Sequence, residues 1–119
     1  MTDAVAVTIY HNPRCSNSRG ALEILRAAGI EPEIVDYLSA PPDAATLAAL
    51  LQAMRMPARA LLRDKEEVYA ELGLADAKWG EAELIDFMIA YPVLINRPIV
   101  VTPKGVRLCR PPETVREIL

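Results

Sequence analysis

The sequence predicts an α/β protein: a mixed sheet of four strands flanked by helices, with a helical insert in the middle. Three observations predict it. Short apolar runs, mostly β-branched, at residues 5–10, 33–37, 99–101 and 106–109 read as strands. Other stretches place apolar residues three and four apart, as a buried helix face does. The order is βαβα, a helical middle, then ββα. The first half therefore makes a parallel pair joined by a crossover helix, and the last part adds an antiparallel hairpin.

The elements follow in order. Val5-Ala6-Val7-Thr8-Ile9-Tyr10 is the first strand, expected to be buried on both faces, and His11-Asn12-Pro13-Arg14 is a loop. A helix runs from Cys15 or Ser16 to Ala28, with Ala21, Ile24, Leu25 and Ala28 as its stripe and Gly29 at the C-terminal cap. Glu33–Tyr37 is the second strand. Asp43, after Pro41-Pro42, suits the N-cap of a helix whose stripe is Leu47, Leu50, Leu51 and Met54. Residues 58–72 form one or two short helices, closed by Gly73. Leu84, Phe87, Met88 and Tyr91 mark a further helix, stopped by Pro92. Ile99-Val100-Val101 is a strand, Lys104-Gly105 a turn, and Val106–Cys109 the returning strand. A short helix over 112–119 ends the series. Thioredoxin- and glutaredoxin-like folds have this order, and the insert occupies about residues 43–92 of a single domain.

Composition narrows the function. The chain has 119 residues, 52% hydrophobic and 24% charged, which is the balance of one ordinary globular domain. No apolar run reaches the roughly 20 residues of a membrane span. The segment MTDAVAVTIYH lacks the basic start and long apolar stretch of a signal peptide, so a cytoplasmic protein with no membrane partner is expected. A net charge of −3 argues against nucleic acid as a partner. Two cysteines and one histidine cannot supply the four ligands of a structural zinc site. No metal and no bound cofactor is expected, nor a structural disulfide in a reducing compartment.

The chemistry centres on Cys15. A strand, a tight loop and a helix starting near Cys15 put the thiol where free backbone N–H groups and the helix dipole concentrate positive potential. There a thiolate is stabilised and an oxyanion can bind. Position 18 is serine, so Cys15-Ser16-Asn17-Ser18 is not a C-x-x-C dithiol, and a catalytic cycle needs an outside thiol. His11 either tunes the thiolate's charge or anchors the turn. Asn12 and Ser18 bond either to loop backbone or to a bound anion. Arg63, Arg97 and Arg110 are either oxyanion clamps, for which the guanidinium fork is suited, or solvated surface charges. Cys109 reads as a strand residue facing the core.

With these residues in place, the chain resembles the glutaredoxin-coupled arsenate reductase family. The resemblance rests on Ile9-Tyr10-His11-Asn12-Pro13, Ser18-Arg19, Tyr37-Leu38 with Pro41-Pro42, and Arg59-Ala60-Leu61-Leu62-Arg63. It continues through Glu71-Leu72-Gly73-Leu74-Ala75, residues 94–103 and Arg107-Leu108-Cys109-Arg110-Pro111. It implies a thioredoxin-like fold with a cis bond before Pro98. It also implies that Cys15 attacks arsenate, that Arg63, Arg97 and Arg110 bind the oxyanion, and that His11 helps hold the thiolate. Glutathione, as co-substrate, then attacks the adduct, glutaredoxin removes the glutathione, and arsenite leaves. The chain stops at Leu119, short of the C-terminal tail of well-characterised arsenate-reducing members. Arg14 and Pro111-Pro112-Glu113 resemble short relatives of unassigned activity.

Two other functions compete. One is a redox-sensing regulator that binds RNA polymerase, against which Ser18 speaks because such regulators use a C-x-x-C switch. The other is a glutathione-dependent thiol oxidoreductase without arsenate activity.

Overall fold

A computed structural model describes residues 6–119. Val5, the expected start of the first strand, and Met1–Ala4 of the segment read for a leader lie outside the described residues. The described residues fall into two compact units. One comprises those up to Ala40 together with Arg97–Leu119, and the other is Pro41–Asn96.

The first unit holds β1 (Thr8–His11), α1 (Ser16–Ala27) and β2 (Glu33–Asp36), and the hairpin strands, named β3 (Ile99–Thr102) and β4 (Gly105–Leu108). They form the mixed sheet in the order β2-β1-β3-β4. β1 runs parallel to β2, with Ile9 beside Ile34, and antiparallel to β3, with Ile9 opposite Val100. β3 and β4 pair antiparallel, with Val101 opposite Val106. The expectation that the first strand is buried on both faces is corrected. Ile9 and His11 are buried, whereas Thr8 and Tyr10 are half-buried. One face alone packs against α1, so the period-two alternation shows in the burial.

That face carries the unit's core. Val7, Ile9 and Val100 meet Ala21, Leu22 and Leu25 of α1, and Cys109, Val115 and Ile118 from the chain's end. The α1 stripe differs from the expected one: Ser18, Ala21, Leu22 and Leu25 are buried, Ile24 is half-buried and Ala28 is exposed. The helix stops at Ala27, so Ala28 is already its cap, and Gly29 turns the chain at φ +81°. The final segment, expected as an α-helix, is a 3₁₀ helix over Pro112–Ile118. With three residues per turn, Val115 and Ile118 stack on the core side. Pro112 stacks below them, against Gly20 of α1.

The second unit holds α2 (Ala44–Met54), α3 (Ala58–Leu61), α4 (Glu67–Glu71), α5 (Glu81–Ala90) and a 3₁₀ turn, Pro92–Leu94. Asp43 caps α2 by accepting the Thr46 N–H at 2.7 Å. Leu47, Leu50 and Leu51 are buried, and Met54 is half-buried. Residues 58–72 contain two short helices, and Gly73, at φ +66°, follows the second. α5 packs on α2 and α3 and buries Leu84, Ile85 and Met88. Tyr91, expected on its buried face, is instead the exposed C-cap. Among the described residues, no helix is long and apolar enough to cross a membrane.

Candidate active site

The loop between β1 and α1 is fixed by its own polar side chains. Cys15 is the N-cap of α1, in extended backbone at φ −92° and ψ 124°. Its N–H donates to the Asn12 carbonyl at 3.0 Å, and its own carbonyl accepts the Arg19 N–H at 3.0 Å. Asn12 Oδ1 accepts the Arg14 N–H at 2.9 Å, which closes an Asx turn. Ser18, fully buried on the first turn of α1, reaches back into the loop. Its Oγ accepts the Asn12 N–H at 3.0 Å and lies 2.5 Å from His11 Nδ1. Arg19 Nη1 donates to the Pro13 carbonyl at 3.0 Å. The chain thus comes off β1 along one path and delivers Cys15 to the helix mouth.

The thiol is 7% exposed, and three kinds of group act on it. Burial pushes its pKa up. The Ser18 N–H, the Arg97 guanidinium and the Asn17 N–H outweigh this and hold the pKa below the ordinary 9.0. Arg110 Nη1 lies 3.7 Å from Cys15 Sγ and is steadied by donating to the Arg97 carbonyl at 3.0 Å. Such a site generates thiolate and presents it to cations and helix N–H groups that suit an oxyanion. His11 sits at a remove. Burial is the main cause that lowers its pKa from 6.5, with the Arg26 charge adding to it, so the ring is neutral near pH 7. Its hydrogen bond is to Ser18, so it bears on Cys15 through the loop.

The expected site residues divide by location. Cys15, His11, Asn12, Ser18, Arg97 and Arg110 all belong to the first unit. Arg63 belongs to the second. There it is ion-paired with Glu66 at 3.2 Å and donates to Asn96 Oδ1 at 3.3 Å. Asn12 and Ser18 bond to the loop itself. Cys109 is fully buried, and desolvation pushes its pKa up to about 12. The peptide bond before Pro98 is cis, and so is the one before Pro111. The second had no signal in the sequence beyond the proline itself. Nor could spacing show that Arg110 leans on the Arg97 carbonyl, since thirteen residues separate them. Among the described residues, no group of three or more His, Cys, Asp or Glu gathers as a metal site would need.

A mixed four-stranded sheet with a cysteine at the N-cap of the helix after β1 defines a protein of the thioredoxin-like class. Residues 10–118 match the ArsC family model, and the chain belongs to that family. It is 56% identical to an arsenate reductase of Escherichia coli (strain K12), across 95% of this chain and 80% of that protein. It is 53% identical to the uncharacterized protein YfgD of the same organism, across 95% of this chain and 96% of that one. The solved arsenate reductase from Vibrio cholerae superposes with a TM-score of 0.94 at 44% identity, covering 98% of this chain and 100% of that one.

Proposed function

We propose that the protein is a cytoplasmic arsenate reductase in which Cys15 is the nucleophile and external thiols supply the electrons. The observation that carries this is the Cys15 thiol at the α1 N-terminus, its pKa lowered and Arg110 Nη1 3.7 Å from its sulfur. The similarity to arsenate reductases supplies the substrate.

The Cys15 thiolate displaces water from arsenate and forms an S–As(V) bond. Arg97 and Arg110, with the first-turn N–H groups, offset the charge on the arsenate oxygens. Arg63 is assigned to the same anion by resemblance alone. Glutathione then attacks the adduct, and glutaredoxin removes the glutathione. The two external thiols end as a disulfide, As(V) becomes As(III), and Cys15 returns as thiolate. Ser18 and Asn12 hold the loop through these steps, and His11 orients Ser18. No bound cofactor takes part.

The test is arsenate reduction with glutathione and glutaredoxin present. Cys15→Ser abolishes it. Arg97→Ala, Arg110→Ala and Arg63→Ala each lower kcat/KM about 10- to 100-fold, as expected for a lost hydrogen bond to a charged group. Undiminished activity in Cys15→Ser overturns the mechanism. Turnover of glutathione mixed disulfides with no arsenate reduction assigns the protein to thiol–disulfide exchange instead.

A further inference from the structure

The outer side of α5 carries a groove that the chemistry above does not use. Trp79, Glu83, Asp86, Phe87, Ala90 and Tyr91 line it, around about 330 Å³. All belong to the second unit. Positions 83, 86, 87 and 90 follow the spacing of one helix face, distinct from the buried Leu84, Ile85 and Met88.

The groove's aromatic wall is held by contacts of its own. Trp79 Nε1 donates to the Gly73 carbonyl at 2.9 Å. The indole meets the Phe87 ring edge to face, 4.9 Å between centroids. Tyr91 is 41% exposed beside it, and so is Val93 two residues on. Trp79 and Phe87 are half-buried, so the groove offers one open ring, Tyr91, beside two partly covered ones. The acidic lining says what kind of partner suits it. Glu83 Oε1 accepts the Gly80 N–H at 2.9 Å. Neither Glu83 nor Asp86 forms an ion pair among the described residues. Ring faces and carboxylates both attract cations. The chain's own Lys78 already places Nζ 4.7 Å over the Trp79 ring.

We propose that this groove docks an arginine- or lysine-bearing segment of a partner protein, with the cation against the exposed Tyr91 ring and between the carboxylates, since Lys78 already holds a face of Trp79. A neutral or acidic segment leaves Glu83 and Asp86 without a counterion.

Trp79 is the single tryptophan of the chain, so its emission reports on the groove directly. The full chain is titrated with acetyl-Gly-Arg-Gly-amide and, separately, with the citrulline peptide, which keeps the shape and loses the charge. The expected result is a saturable emission change with the arginine peptide and a several-fold weaker one with citrulline. Asp86→Asn and Tyr91→Ala each weaken arginine binding about two- to fivefold, with the thermal unfolding midpoint unchanged. An equal response to both peptides, or no saturable response, overturns the proposal. So does sedimentation showing self-association over the same range, which would give the groove to a second copy.

Discussion

Thiol chemistry at a single residue depends on how much thiolate is present. Cys15 is held below the ordinary thiol range, whereas burial raises Cys109 to about 12. Iodoacetamide therefore alkylates Cys15 first, with a pH–rate midpoint below 9.0. Arg97→Ala moves that midpoint upward, and arsenate protects the thiol. Mass spectrometry of the labelled peptides checks both. His11 gives a second measurable quantity. Because folding lowers its pKa from 6.5, the unfolded chain takes up a proton that the folded chain refuses. His11 therefore costs the fold nothing well above pH 6.5, and stability falls as pH drops below it. Urea unfolding at pH 7.5 and pH 5.5 reads this as a loss at the lower pH, and the loss is smaller in His11→Gln.

At the scale of elements, helix α1 performs two tasks with one sequence. Its N-terminus holds the thiol, and its flank packs the core. The packing is close at Gly20, where an added Cβ would lie 2.8 Å from Pro112 Cγ and 3.1 Å from Pro112 Cβ. A proline ring cannot swing aside. Gly20→Ala gains about 1 kcal/mol of helix propensity, and overpacking costs about 1–3 kcal/mol. The variant is accordingly expected to unfold at lower urea than the wild type. Gly20 looks like an ordinary helix interior position in the sequence, because its neighbour lies 92 residues away. The elements themselves were legible wherever a local rule governs them. Asp43 caps α2 as its residue type and position suggest, and Gly29 and Gly73 sit at turns with positive φ. The buried stripe of α1, Ser18, Ala21, Leu22 and Leu25, is out of phase with its hydropathy pattern. Buried Ser18 belongs to it because its hydroxyl is satisfied inside the loop, which a hydropathy pattern does not register.

At the scale of the whole molecule, one reactive thiol cannot complete a two-electron reduction. Arsenate with the protein alone is expected to give no more than one adduct per chain. Catalytic arsenite release, followed by arsenic speciation, starts only when glutathione and glutaredoxin are added. By itself the sequence determined the strand and helix order, the mixed sheet, the thiol at a helix mouth and the absence of a C-x-x-C partner. Each of these depends on neighbours a few residues apart or on residue identity. Only the tertiary structure decided that Arg110 leans on the Arg97 carbonyl and reaches the Cys15 sulfur, and that Pro112 closes on Gly20. It also decided that Ser18, rather than Cys15, is the hydrogen-bond partner of His11. Those contacts join segments far apart in the chain, or turn on which atom a buried side chain faces. Neither leaves a periodicity in the sequence.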